Sequence, residues 1–197
     1  MPSRIARTSQ ISFGVALLLL GVWQISAALP RQLQSAIDLD GKAIDPLQAA
    51  QGKTTVLIFV RTDCPISNRY APLLQHLSET YASGSKFWLV YPDKKTSARE
   101  IRAHLAQYNY KISALRDPER VLVKRASATI TPEAAVFDSQ GRLLYHGRID
   151  NWYEDASRAR PAATTHELQN AVEAAINGKP VPLANASAVG CYIADLE

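Results

Sequence analysis

Residues 56–60 form a continuous apolar run, Val-Leu-Ile-Phe-Val, that stops at a polar tripeptide and a cysteine, Cys64. The run is rich in β-branched side chains and follows Gly52-Lys53, which is typical of a strand buried on both faces of a sheet. Such a strand requires a covering layer on each side. The run therefore indicates an α/β fold, with Cys64 just beyond the end of a central strand.

A helix is predicted to begin at Cys64. Thr62 or Asp63 is suited to act as its N-cap, and Pro65 falls in the first turn, where a missing backbone N–H costs nothing. Apolar residues then recur at helical spacing as far as Leu77. The cysteine is thus placed at a helix N-terminus, directly after a buried strand.

Cys64 is expected to be a reactive thiol rather than a buried structural cysteine. Unpaired N–H groups and the positive end of the helix dipole stabilise an anion at a helix start. Arg61 and Arg69 lie close in the sequence and add positive charge. We therefore expect the pKa of the Cys64 thiol to be lowered.

Two short motifs carry a resemblance to a known family. The segment Cys64-Pro-Ile-Ser67 followed by Ala71-Pro72 resembles the active-site segment of thioredoxins, and Thr131-Pro132 resembles their cis-proline loop. Residues 33–178 are similar to the redoxin group, which includes alkyl-hydroperoxide-reductase-type (thiol-specific antioxidant) peroxidases and exported thioredoxin-like proteins. The resemblance implies a thioredoxin-like α/β fold, a three-layer sandwich with a central mixed β-sheet flanked by helices.

The resemblance also assigns roles to individual residues. It implies that Thr131-Pro132 is cis, faces Cys64 and leaves a backbone edge free to pair with an extended substrate. Pro72 is expected to kink the helix. Ser67 stands in the place of the second thioredoxin cysteine, so it is either an inert remnant or a hydrogen-bond donor to the Cys64 thiolate. Cys64 must then react alone, with an external thiol or with Cys191.

Cys191 lies in a C-terminal tail, residues 181–197, that follows Pro180 and need not be helical. A flexible tail can reach back across a small domain, so Cys191 is either the resolving partner of Cys64 or a free packed thiol. A disulfide between the two cysteines would close a loop of about 128 residues, worth roughly 4 to 5 kcal/mol in the chain-entropy model.

The peroxiredoxin-like signature Pro-x-x-x-Thr-x-x-Cys is not matched. Leu57 and Arg61 occupy its proline and threonine positions, and Thr62 is one place away. Arg148 is the candidate for a cation that polarises a peroxide. The alternative is that Arg148 and Asp150 form a surface pair at the end of a strand.

No metal and no cofactor are expected. Copper binding, as in cytochrome-oxidase assembly relatives of this fold, needs a Cys-x-x-x-Cys pair and a distal histidine, and the pair is missing. The net charge of +4 comes without a basic stripe carrying interleaved aromatic residues, so nucleic acid is not an expected partner. The four histidines are dispersed over predicted helices and a strand: His76, His104, His146 and His166.

Residues 1–28 have the pattern of a secretory signal peptide. Arg4 and Arg7 precede an apolar run at 11–23, and Ser26-Ala27-Ala28 fits a cleavage site. The run is either removed with the signal or retained as a short membrane anchor. The predicted organisation is therefore this segment, a redoxin domain at 29–180 and the tail at 181–197, exported to a periplasmic or other extracytoplasmic compartment. The domain is expected to fold without residues 1–28.

Strands and helices alternate along the domain, which predicts a largely parallel sheet with an antiparallel edge. Residues 149–164 are predicted to be a polar surface excursion. Predicted strands are 33–39, 56–60, 86–91, 112–115, and a hairpin of 133–138 with 141–146. Predicted helices are 64–81, 97–108, 117–126 and 165–177, with a turn or short helix at 44–51. Ser97 and Glu100 are expected to form a capping box at the start of the second of these helices.

The predicted function is that of an exported thiol-based oxidoreductase. The Cys64 thiolate attacks a protein disulfide or a peroxide, and Pro132 shapes the substrate groove. A second thiol, from Cys191 or from an external reductant, then resolves the product. The alternative is a non-catalytic binding module that docks a partner or handles a metal through Cys64.

Overall fold

The computed structural model describes residues 35–193. The predicted signal or anchor, residues 1–28, lies outside this range, as do the start of the first predicted strand and residues 194–197 of the tail. Within the described range, no helix is both long enough and apolar enough to cross a membrane.

Twelve strands and six helices lie within residues 35–193. The strands are β1 (Ala36–Asp38), β2 (Ala43–Ile44), β3 (Thr54–Phe59), β4 (Ser85–Tyr91), β5 (Ser113–Arg116), β6 (Ile130–Thr131), β7 (Glu133–Phe137), β8 (Leu143–Gly147), β9 (Tyr153–Asp155), β10 (Arg158–Ala159), β11 (Asn185–Ala186) and β12 (Cys191–Tyr192). The helices are α1 (Pro46–Ala49), α2 (Pro65–Arg69), α3 (Ala71–Thr80), α4 (Ala98–Gln107), α5 (Val121–Ala126) and α6 (Glu167–Ile176).

Eight strands form one mixed sheet in the order β11-β8-β7-β3-β4-β5-β1-β2. β3, β4 and β5 are parallel to one another, whereas β7 and β8 on one side and β1 and β2 on the other form antiparallel pairs. The edge strand β11 runs parallel to β8. The predicted mixed sheet is confirmed, but its antiparallel pairs lie on both sides of the parallel strands instead of at one edge. Tight turns at Gly41 and Gly141, both with positive φ, join β1 to β2 and β7 to β8, and tight turns connect antiparallel strands only.

β3 lies inside the sheet and is buried along its whole length, as its apolar run predicts. Val56 and Ile58 point into a core shared with α3, α4 and α6. Leu57 and Phe59 point into a second core, on the opposite face, shared with α5. Full burial of each such side chain stabilises the fold by about 1.5 to 3 kcal/mol. The predicted three-layer sandwich is therefore confirmed.

The predicted helix at 64–81 is two helices. α2 ends at Arg69, Tyr70 forms the junction, and Pro72 lies in the first turn of α3, where its missing N–H breaks no hydrogen bond. Where a kink at Pro72 was predicted, the structure has a break between two helices two residues earlier, at Tyr70. The predicted capping box at the start of α4 is also present, because Ser97 and Glu100 bond to each other's backbone N–H groups.

α5 begins later than predicted. Arg120 takes a left-handed backbone conformation, with a φ of 56°, immediately before the helix. Asp117, predicted to open the helix, instead caps it from outside, because its carboxylate accepts hydrogen bonds from three backbone N–H groups. These belong to Val121, Leu122 and Val123, at 2.8, 2.9 and 3.0 Å.

Residues 149–164 are not a surface excursion throughout, which corrects the prediction. Ile149, Asp150 and Tyr153 are buried, and β9 pairs with β10 in a small hairpin. The Asp150 carboxylate accepts hydrogen bonds from the Tyr70 hydroxyl at 2.6 Å and from the backbone N–H of Trp152 at 2.8 Å. The segment therefore packs on the junction between α2 and α3, with its buried carboxylate satisfied.

Candidate active site

Cys64 is itself the N-cap of α2. Its sulfur accepts a hydrogen bond from the backbone N–H of Ser67 at 3.5 Å. The predicted caps, Thr62 and Asp63, lie before the helix, and the Thr62 carbonyl accepts a hydrogen bond from the side chain of Asn68 at 3.1 Å. The prediction of the cap was wrong by one or two residues. The helix N-terminus nevertheless stabilises a Cys64 thiolate more directly than expected, because one of its backbone N–H groups donates to the sulfur.

The loop at Thr131-Pro132 faces Cys64, as predicted. The peptide bond is cis, and the Cys64 thiol donates a hydrogen bond to the Thr131 carbonyl oxygen at 3.2 Å. Cys64, Ser67 and Thr131 are all fully buried. Two segments separated by 67 residues in the chain thus meet at one sulfur atom.

Cys191 lies against Cys64. The two Sγ atoms are 2.7 Å apart, and both cysteines are free thiols in this structure. β12 carries Cys191 there because it pairs antiparallel with β6, with Cys191 opposite Thr131. The Thr131 hydroxyl also donates to the Cys191 carbonyl oxygen at 3.3 Å. The structure therefore brings Cys191 into direct contact with Cys64.

Burial raises the pKa of the Cys64 thiol, but hydrogen bonds from the Cys191 thiol and from Ser67, together with the nearby Thr131 side chain, lower it more, so the net shift is downward. The Ser67 hydroxyl makes no hydrogen bond of standard geometry, yet it lies near enough to the sulfur to stabilise a thiolate. Burial and the hydrogen bond to Cys64 raise the pKa of Cys191. The two pKa values therefore shift in opposite directions, with Cys64 the more acidic thiol of the pair.

The arginines named from the sequence act differently from the expectation. Arg61 forms an ion pair with Asp63 at 2.8 Å, and its guanidinium donates to the Tyr192 carbonyl oxygen at 3.2 Å. Arg69 donates to the Tyr153 hydroxyl at 3.2 Å and lies over the Trp152 ring. The lowered pKa of the Cys64 thiol comes from hydrogen bonds, not from these two cations.

Arg148 does not pair with Asp150. Its Nε donates to Glu167 at 3.0 Å, and one of its terminal nitrogens bonds the same carboxylate oxygen. The alternative of a surface pair is therefore wrong, because Asp150 is buried and bonded to Tyr70. The guanidinium is held by α6, so it is a poor candidate for binding a peroxide.

Sequence reasoning missed a hydrogen-bonded bridge, centred on His104, that supports the turn between β3 and α2. The Nε2 of His104 bonds the Asn68 side-chain oxygen at 2.8 Å, and the Tyr91 hydroxyl bonds the other ring nitrogen at 2.9 Å. Asn68 in turn holds the Thr62 carbonyl, as described above. The bridge joins α4, β4 and α2, and no local pattern in the sequence marks it.

The model of the Redoxin family matches residues 26–160, more than half of the chain. The chain belongs to the Redoxin family. The match ends before α6 and the tail, so Cys191 of this redoxin lies outside the matched residues. A search of curated protein sequences gave no match.

Solved structures of other proteins share the fold of this chain. A hypothetical protein from Sinorhizobium meliloti 1021 superposes with a TM-score of 0.67 and 22% identity, over 81% of this redoxin and 88% of that chain. An exposed lipoprotein thioredoxin from Streptococcus pneumoniae gives 0.53 and 18%, over 73% and 97%. A secreted disulfide oxidoreductase from Mycobacterium tuberculosis, homologous to DsbE of E. coli, gives 0.50 and 19%, over 76% and 99%. The predicted thioredoxin-like fold is confirmed.

Proposed function

We propose that this redoxin is a thiol-disulfide oxidoreductase in which Cys64 attacks and Cys191 resolves. The observation that carries the proposal is the contact of the two sulfur atoms, 2.7 Å apart, beside the cis-proline loop. Two thiols at this separation can be joined by a disulfide with little movement of the chain, since disulfide formation needs the sulfurs to close to about 2.05 Å.

The opposite pKa shifts of the two thiols support an order of events. The Cys64 thiolate attacks one sulfur of a substrate disulfide, forms a mixed disulfide, and the other substrate sulfur leaves as a thiolate. Cys191 then loses its proton and attacks the Cys64 sulfur, which releases the second substrate thiolate and leaves a Cys64–Cys191 disulfide. The substrate gains two electrons and the protein loses two, so an external dithiol must return the protein to its reduced form.

Protein disulfides are a better substrate class than peroxides for this site. The peroxide alternative relies on Arg148, which is held by Glu167, and on Thr62, whose carbonyl rather than hydroxyl has a contact near the site. The non-catalytic alternative with a metal needs further ligands, and within residues 35–193 no three metal-binding side chains come together.

Export is part of the proposal. Residues 1–28 have the composition of a signal peptide, and proteins of the same fold include one named as secreted and one named as an exposed lipoprotein. An oxidising compartment outside the cytoplasm is where a protein disulfide substrate is available.

The proposal is tested by measuring reduction of insulin disulfides with dithiothreitol as the reductant. Cys64→Ser should abolish catalysis, because no first attack remains. Incubated with insulin in the absence of dithiothreitol, Cys191→Ser should stop at a mixed disulfide, which intact-mass measurement detects as a gain of one insulin molecule. Ser78→Ala, on α3, is the control and should behave as the unmodified protein. Full activity of Cys64→Ser would show that this site does not carry the reaction.

A further inference from the structure

The last described strand of the chain occupies the backbone edge beside Cys64. β12 pairs antiparallel with β6, and the backbone N–H of Ile193 donates to the Thr129 carbonyl oxygen at 2.9 Å, which extends the ladder. This is the edge that was predicted to be free for an extended substrate. Strand addition to an exposed edge is a general mode of peptide binding, so the C-terminal segment sits as a bound peptide would.

The contacts of this segment are those of a bound ligand. The Arg61 guanidinium donates to the Tyr192 carbonyl oxygen, and Ile193 is only 5% exposed, packed in the core on the α5 face of the sheet. The Tyr192 side chain, by contrast, is 76% exposed and makes little contact. Backbone hydrogen bonds and the buried Ile193 side chain therefore hold the strand. The exposed side chain at position 192 contributes little to binding.

At Gly190 the edge of β6 accepts only a residue without a side chain. A Cβ atom on this residue would lie 2.1 Å from the Thr131 carbonyl oxygen and 2.7 Å from its carbonyl carbon. Both of these are backbone atoms of the loop that also touches Cys64, so neither moves aside without moving the site. A strand with any side chain immediately before its cysteine cannot seat its sulfur against Cys64 in this register.

We infer that the edge of β6 is a binding site for extended peptide segments with glycine immediately before the reacting cysteine, and that residues 189–193 are its built-in occupant. The inference rests on the proposed function and names its substrate class. A substrate strand must displace β12 before its sulfur reaches Cys64, which is 0% exposed while the segment is in place. Gly190 and the corresponding substrate residue are positioning residues, since they touch no reacting atom.

The test uses the full chain with Cys191→Ser, in which a mixed disulfide on Cys64 cannot be resolved. The probe is the hexapeptide Ala-Val-Gly-Cys-Tyr-Ile joined by a disulfide to glutathione. Attack by the Cys64 thiolate on the peptide sulfur forms the Cys64–peptide bond, breaks the bond to glutathione, and releases glutathione as its thiolate. The rate of adduct formation is followed by intact mass.

Gly190→Ala, added to Cys191→Ser, should release the occupying strand and raise the rate with this probe by roughly tenfold or more, because its methyl group has no room in the docked register. The probe with valine in place of glycine should react roughly tenfold more slowly with the released variant. Ser187→Ala, an exposed change on the same segment, should leave the rate unchanged. The two probes should react equally with dithiothreitol.

Two results separate the inference from the proposed function. If both probes react with Cys64 at equal rates, and Gly190→Ala accelerates neither, the edge is not selective and the inference is wrong although Cys64 is a nucleophile. If no variant forms an adduct with either probe, Cys64 does not exchange disulfides and the proposed function itself fails. Circular dichroism of each variant confirms that the fold is retained.

Discussion

The Ser67 hydroxyl is buried beside the Cys64 sulfur, in the place where thioredoxins carry a second cysteine. Removing it by Ser67→Ala takes away a group that favours the thiolate, so the pKa of Cys64 should rise. The ultraviolet absorbance of the thiolate, followed against pH in a Cys191→Ser background, measures this. Ser78→Ala, whose hydroxyl bonds the Gln75 carbonyl within α3, should leave the titration in place. An unchanged curve for Ser67→Ala would mean that the hydroxyl is an inert remnant.

Tyr70 and Asp150 form a buried pair at the side of the site. Tyr70→Phe removes the hydroxyl and leaves the Asp150 carboxylate with one donor fewer, which should lower the free energy of unfolding by about 1 to 3 kcal/mol. Urea unfolding measures the loss. Tyr192→Phe is the matched control and should be neutral, because the Tyr192 side chain is exposed. Equal stability of the two variants would contradict the assigned role of the pair.

At the scale of elements, α4 is hydrogen-bonded through His104 to the turn between β3 and α2. Burial lowers the pKa of His104, so the folded protein holds this ring neutral at a pH where the unfolded chain takes up a proton. The stability that the neutral His104 ring contributes is therefore fully present above about pH 6.5, the ordinary histidine pKa, and is lost as the pH falls through the folded-state pKa.

The free energy of unfolding should therefore decrease on acidification below pH 6.5, and His104→Gln should remove that part of the decrease. Urea unfolding at a series of pH values, with the unmodified protein and the variant compared at each, isolates the histidine from the carboxylates. His76→Gln, at an exposed position, should keep the full pH dependence of the free energy of unfolding. A slope that survives in His104→Gln would assign the effect to another group.

Elements set by local pattern could be predicted, and elements set by distant contacts could not. Residues close together in the sequence determine both the capping box of Ser97 and Glu100 and the buried run of β3. The structure contains both features. The late start of α5 depends on one left-handed residue, Arg120, which no periodicity reveals. The bridge from His104 to Asn68 spans 36 residues, and no pattern in adjacent residues predicts it.

At the scale of the whole molecule, the tail sets the stability of the oxidised form. A Cys64–Cys191 disulfide closes a loop of about 128 residues, and the chain-entropy model gives roughly 4 to 5 kcal/mol for it. The oxidised protein should therefore unfold at a higher denaturant concentration than the reduced protein. Cys191→Ser should unfold at the same concentration in both conditions. A midpoint that does not depend on redox state in the unmodified protein would show that the bond does not form.

The contact between Cys64 and Cys191 was left open by the sequence for a physical reason. Cys64 was identified from a strand, a helix start and a proline within a few residues of it. Cys191 sits in a strand of two residues, β12, whose existence depends on pairing with β6, about 60 residues earlier. The length and composition of the tail allowed such a contact but did not specify its register.

The separation of the two cysteines also fixes when they first meet. Cys191 is synthesised 127 residues after Cys64. At roughly 5 to 20 residues per second, this delay is about 6 to 25 s, longer than most small domains need to fold. Any disulfide that Cys64 makes during that interval joins it to another molecule. Closure with Cys191 therefore requires that the chain has been synthesised as far as β12.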